Sequence, residues 1–176
     1  MTAELSQAET RAGIAAMLSS WTGVPALLCD RHLTVLASNA AARALSPGFA
    51  EGVNLARFTF LEPDVNRDHH MYDTAANQVA ALLRESLDEY HGDAAFRAIV
   101  GDLSVLSLDF ATAWADDSLA ARASGVIDFA DSPVGLLRMG YQLLRVPGSE
   151  DDSLLVWAAA DEVSAHRLTR LLDTAP

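Results

Sequence analysis

VPALLCDRHLTVLASNAAARAL, residues 24–45, is the stretch on which the fold turns. Two short apolar runs, 26–29 and 34–37, flank a polar Asp30-Arg31-His32 break, the pattern of a β-hairpin. Ser38 and Asn39 then open an alanine-rich run, 40–45, with Asn39 placed to cap a short helix through its side-chain oxygen. A hairpin that runs straight into a capped helix places strands and helices in one layered unit.

Upstream, Ser6-Gln7-Ala8-Glu9 reads as a capping box, in which serine and glutamate satisfy each other's orphan amides. Ile14, Met17, Leu18 and Trp21 follow at helical spacing, and Gly23 with Pro25 ends the run. Residues 1–23 thus form an N-terminal amphipathic helix, and residues 24–176 form the main domain. The apolar stripe of the helix either covers the sheet or meets a second subunit.

Downstream, Ser46-Pro47-Gly48 breaks the chain, and 54–60 is a helical turn that aims Leu55, Phe58 and Phe60 inward. Pro63 suits a first helical position. The long pattern after it puts Tyr72, Ala75, Ala76, Val79, Leu82, Leu83 and Leu87 on one side. Gly92 and Asp93 punctuate it. A second helix carries Phe96, Ile99, Val100 and Leu103, and Ser107 caps a third with Leu108, Phe110, Ala111 and Trp114. The period then changes to two. Residues 122–129 alternate loosely, and Asp131-Ser132-Pro133 turns the chain. Leu137, Met139, Tyr141 and Leu143 share one face of a long strand, opposite Arg138, Gly140 and Gln142. The polar stretch 147–152 reads as a hairpin loop and 153–159 as a closing strand. Asp161 caps a final helix carrying Leu168, Leu171 and Leu172. The class is α+β: an antiparallel sheet covered on one face by a helical insertion, with helices at both termini.

Composition narrows the function. The chain has 176 residues, 51% apolar and 20% charged, so it is long enough and apolar enough for one packed domain. Its formal net charge is −12, and all twelve basic residues are arginines. A surface this acidic repels phosphate backbones, so direct nucleic acid contact by this chain is not expected. The single cysteine, Cys29, lies in an apolar strand and has no intrachain partner, as suits a reducing cytoplasm. The N-terminus carries acid before any apolar run, unlike a signal peptide. No apolar stretch reaches the roughly 20 residues that span a bilayer, so no membrane role is expected.

Catalytic constellations are not evident. Asp68-His69-His70 suggests a metal, yet neighbouring helical residues point about 100° apart, so His69 and His70 do not readily share an ion. Glu62, Asp64 and Asp68 early in a helix answer its dipole. His32, in a turn, and His91 and His166, near helix ends, read as surface residues. Cys29 lacks a base beside it. Ser104, Ser107 and Ser118 lack the Gly-x-Ser-x-Gly elbow, and no glycine-rich phosphate loop occurs. The expectation is a protein without enzymatic activity, metal or cofactor.

Phe58, Phe60, Val79, Leu83, Phe110, Trp114, Leu137, Met139 and Tyr141 come from elements expected to face the sheet–helix interior. They either fill that space as a core or line a cavity within it. Six pieces in order carry a wider resemblance: PALLCDRHLTVLASNAAARAL, NLARFTFLEPDVNR, VAALLRE, LSLDFATAWA, SPVGLLRMGYQLLRVPG and LLVWAA. Spanning 24 to about 172, they resemble the MmyB-like ligand-binding domain, a PAS-like module of bacterial transcription regulators that normally follows an XRE-type helix-turn-helix. The chain departs from the family pattern at Ser38, Tyr72 and Ser132-Pro133, where tryptophan, tryptophan and His-Pro are usual. It departs again at residues 161–163, which read Asp-Glu-Val in place of Pro-Gly-Ser.

The resemblance implies a PAS-like sheet and a sensor that binds a small apolar ligand such as a fatty acid in a cavity lined by the residues above. Among polar anchors, Arg57 suits a carboxylate head better than Arg138, which falls on the strand face opposite Tyr141. The residues before the match are too few for a helix-turn-helix bundle, so the chain is expected to be either a domain excised from such a regulator or a stand-alone sensor acting through a DNA-binding module or partner protein, and a homodimer is expected. The alternative is a ligand-free interaction and dimerisation domain.

Overall fold

A computed structural model describes residues 6–89 and 93–174; His91 and Gly92 lie outside the described residues. The hairpin is present as β1 (Ala26–Cys29) and β2 (Val35–Ser38), and it feeds α2 (Ala40–Leu45). The other strands are β3 (Ser124–Phe129), β4 (Leu137–Val146) and β5 (Ser149–Ala159). All pairs are antiparallel, and the five strands lie in the order β2-β1-β5-β4-β3. The last strand therefore pairs with the first. Everything between β2 and β3 is an insertion that the sheet closes beneath.

That insertion holds α2, a 3₁₀ turn at Pro47–Phe49, α3 (Leu55–Leu61), α4 (Tyr72–Glu89), α5 (Ala94–Leu106) and α6 (Leu108–Ala115). The chain is framed by α1 (Gln7–Ser20) and α7 (Glu162–Thr174). Local chemistry sets most helix starts. Ser6 and Glu9 form the capping box of α1. Asn39, Asn54, Asp93 and Ser107 each accept from amides of the first turn that follows, and Asp161 accepts from Ser164 N. The α+β, PAS-like antiparallel sheet is the architecture expected from sequence.

Two differences have physical reasons. First, α4 starts at Tyr72, not near Pro63, and residues 62–71 form consecutive turns. Arg67 holds those turns by donating to the carbonyls of Phe60 and Glu62. Second, the supposed loop 147–152 is mostly strand: Pro147 and Gly148 make the turn, with φ +79° at the glycine, and β5 begins at Ser149. Asp152 points to the sheet's reverse face, where Arg11 of α1 grips it at 2.7 Å through both oxygens. The reverse face of the sheet is covered by α1, one of the two placements expected for its apolar stripe. Leu18 of α1 packs on Ala26, Leu28, Ala37, Val146 and Leu154 on the reverse face.

On the inner face, Leu27, Cys29, Val35, Leu137, Met139, Tyr141 and Trp157 pack with α2, Phe49 and the α7 residues Leu168 and Leu171. The helical insertion does not lie flat on this surface. It has its own core of Phe60, Tyr72, Ala76, Ala80, Leu83, Phe96, Leu103 and Phe110. Leu33, in the left-handed region at φ +64°, anchors the hairpin turn in that second core. Where the two cores part, space remains.

Candidate functional site

That space is a cavity of about 650 Å³ between the inner sheet face and α3 with α4, within the range of small-molecule sites. Its floor is Cys29, Tyr141, Leu143, Leu155 and Trp157, and its roof is Leu55, Phe58, Val79 and Leu82. One wall comes from the α3–α4 connection (Glu62, Asp64, Val65, Asn66, His69) and another from residues 127–132. Exposed Asp64, Asn66 and Asp131 place the mouth between those two walls.

The floor is aromatic. Trp157 stacks on Phe49 at 5.6 Å between ring centres and meets Phe129 at 5.2 Å and Tyr141 at 5.4 Å. Two glycines make room for the lining. A Cβ on Gly125, the register partner of Tyr141, would lie 2.8 Å from its ring, and a Cβ on Gly48 would lie 2.6 Å from that of Phe58. Burial raises the Tyr141 hydroxyl above its ordinary pKa, against an opposing pull from Arg122. Tyr72 is pushed up to about 12 by burial and by the nearby Asp109 carboxylate.

Among the described residues, two buried polar atoms of the lining residues have no hydrogen-bond partner: Trp157 Nε1 and Asp128 Oδ1. Asp128 pairs in register with Arg138, on the side away from Ile127 and Phe129, and Arg138 Nε stays 3.9 Å from its Oδ1. Trp157 instead pairs with Tyr141 on the cavity side. The residue lines the cavity floor, while its indole N–H is itself buried.

The structure brings Phe58, Val79 and Tyr141 from the expected set to the cavity. The others lie elsewhere. Phe60, Leu83 and Phe110 fill the helical core, where the Phe60 and Phe110 rings meet edge to face at 5.1 Å. Trp114 stacks outside Phe110 with the Arg84 guanidinium 5.3 Å over its ring. Leu137 and Met139 sit under α7 in the sheet core. Arg57 turns to solvent and pairs with Asp102 at 2.6 Å. Helical and strand spacing mark these residues as inward but cannot say which of two inner cores they enter. Trp157 and Phe49 escaped the sequence reading. The alternation Leu155, Trp157, Ala159 carried the signal for the former; Phe49, in a 3₁₀ turn, had none.

Catalytic chemistry finds little here. Cys29 is fully buried, and desolvation, aided by Asp30 and Asp152, pushes its thiol up to about 12, so it stays protonated. His69 and His70 lie in turns, not a helix, with rings 4.4 Å apart; His69 lines the cavity and His70 is exposed near Asp128. Among the described residues no three His, Cys, Asp or Glu side chains gather as a metal-ligand set. His32 is less exposed than its turn suggested: Nε2 lies 2.8 Å from Asp93 Oδ2, and the ring packs on Phe96. Among the described residues no single helix is long and apolar enough to cross a membrane.

An open antiparallel sheet, a helical insertion with its own core, and an apolar cavity between them describe a binding module. No curated protein sequence matches the chain. Comparison with known families matches residues 10–172 to the MmyB-like transcription regulator ligand binding domain, nearly the whole length. The chain belongs to the family of MmyB-like transcription regulator ligand-binding domains.

Proposed function

We propose that this domain senses a small, predominantly apolar ligand held in the 650 Å³ cavity between the sheet and α3–α4. The cavity is the observation that carries the reading, because two packed cores leave it open where one core would have filled it. An acyl chain is the natural occupant of such a wall, either as a free fatty acid or as an uncharged derivative. Ligand favours one packing of the inner core. Trp157 and Phe49 line the cavity and share that core with Leu168 and Leu171, so the bias reaches α7. In this reading the domain works in the cytoplasm as a homodimer and passes its state to a DNA-binding module without touching DNA or catalysing a reaction.

Denaturing extraction of the purified protein followed by mass spectrometry tests the reading. A stoichiometric apolar compound is expected, and saturating ligand at about 100 times Kd should add about 2.7 kcal/mol of stability. No bound compound, together with no thermal shift from any acyl chain, favours a ligand-free interaction domain instead. For the dimer, α1 leaves Met17 41% exposed. Size exclusion of Met17→Asp should show monomer if α1 forms the interface, and an unchanged elution volume removes it from that role.

A further inference from the structure

α4 and β4 face each other across the cavity, and both run inward from its mouth. Tyr72 begins α4 directly after the α3–α4 connection, and Ala75, Val79 and Leu82 follow it into the lining at helical spacing. On the sheet side, residues 127–132 flank the start of β4, where Phe129 pairs with Leu137 and Ile127 with Met139. Tyr141 and Leu143 then carry the lining further along that strand. From Tyr72 to Leu82 the helix rises about 15 Å, so the cavity has a long axis along α4, with one end at the mouth.

The other end is a wall of leucine. Leu33, Leu82 and Leu143 line the cavity, and the same three residues line a small pocket of about 40 Å³ on their far side. That pocket is polar, with Asp30, Arg31, Glu85, Arg145 and Asp151 around it. Glu85 stands one turn beyond Leu82, and Arg145 stands two residues beyond Leu143 on the same strand face. Arg145 Nη2 lies 3.4 Å from Glu85 Oε1, an ion pair that ties β4 to α4 just outside the leucines. Apolar space therefore stops at this layer and paired charge begins behind it. Leu33 is fixed in place by its left-handed backbone, by its amide donating to Asp30 O, and by its carbonyl accepting from Leu55 N at 2.8 Å. Leu82 and Leu143 are half-buried on regular elements. An apolar chain that outgrew the layer would enter among ion-paired groups, and a shorter one would leave the leucines without a packing partner.

We propose that Leu33, Leu82 and Leu143 form the stop that sets the length of the ligand's apolar chain, with the tail against the leucines and the head at the mouth. The proposal rests on the cavity reading and adds length selectivity and orientation to it.

Saturated primary alcohols and fatty acids of six to sixteen carbons are the probes, each titrated into the purified protein by calorimetry. Two head chemistries are used so that chain length alone decides the outcome. Affinity is expected to climb about fourfold per added methylene and then to stop climbing at a length that the two series share to about one carbon. Leu82→Ala and Leu143→Ala should each move that break to longer chains by about two or three carbons, the space that each substitution opens. Leu82→Val, a smaller cut, should move it the same way and keeps the test decisive if the alanine variants do not fold. Arg145→Gln removes the outer ion pair but keeps the leucines, and should leave the break where it is. Affinity that climbs to sixteen carbons without a break overturns the proposal, as does a break that none of the leucine variants moves. A break moved by Arg145→Gln places the stop in the ion pair and overturns it too. If neither series binds or raises the melting temperature, the cavity reading itself fails and the length inference falls with it.

Discussion

Asn39 shows how much one side chain can hold. Its Oδ1 accepts from Ala26 N at 3.1 Å and Ala42 N at 2.9 Å, and its Nδ2 donates to the carbonyls of Trp21 and Val24. One amide thus ties the end of α1, the start of β1 and the cap of α2, while only 2% exposed. Asn39→Ala orphans two buried amides and two partly buried carbonyls and should cost about 3 kcal/mol in urea unfolding; a loss below about 1 kcal/mol would mean water replaces it. Cys29 supports a second residue-scale prediction. With its pKa near 12, the thiol should resist iodoacetamide at pH 8 in the folded protein and react fully in denaturant. Fast native alkylation would show that the sheet floor opens. The cap at Asn39 was legible because capping is local. Trp157's unpaired donor was not, because its missing acceptor is a property of the packed neighbourhood.

Elements make their contributions through close approach and through pairing across the chain. β3 and β4 bring Gly125 against the face of Tyr141, leaving no room for a Cβ. Gly125→Ala should push Tyr141 toward the cavity, lose about 1–3 kcal/mol, and weaken ligand retention. Gly101 in α5 is the contrast, since among the described residues nothing lies within 4 Å of its would-be Cβ. Gly101→Ala should stabilise the domain by about 0.5–1 kcal/mol, as an exposed helical glycine does. Equal effects from the two would remove the close approach as the cause. α1 is fixed on the reverse face by Leu18, 1% exposed, and by the Arg11–Asp152 pair. Periodicity found α1 and the long strands. It misplaced the start of β5, because Asp152 looks like a loop residue until Arg11, 141 positions away, buries it. It extended α4 back to Pro63 because proline at a helix start and proline in a run of turns look alike.

The molecule as a whole is acidic, with a formal charge of −12 and a pI near 4.6, and this shapes its pH response. Hydrogen bonds from His32, followed by Arg31 and first-turn amides, hold Asp93 well below the usual carboxylate range. Asp161, Asp116 and Glu9 are lowered by hydrogen bonds from Ser164, Ser118 and Ser6. A carboxylate with a depressed folded pKa contributes stability above its unfolded value, and that contribution is lost as pH falls through the folded value. Melting temperature should therefore hold from pH 7 to about 5, where relief of self-repulsion helps, and fall below about pH 4. Asp93→Asn should lower it at pH 6 and leave a smaller acid-induced drop. A melting temperature at pH 3 equal to that at pH 6 would mean these carboxylates do not stabilise the fold.

What the sequence determined by itself is everything carried by local rules. Caps at Ser6, Asn39, Ser107 and Asp161, the hairpin before α2, and the two-residue period of β4 act over a few residues, and each is written in adjacent letters. Those rules were enough for the α+β class and its antiparallel sheet. Tertiary structure alone decided which inward side chains meet empty space. Phe58 and Phe110 are both inward-facing aromatics on short helices, yet one lines the cavity and the other fills the helical core. The difference lies in where two separately packed cores fail to meet. That is a property of long-range geometry, and no spacing along the chain encodes it.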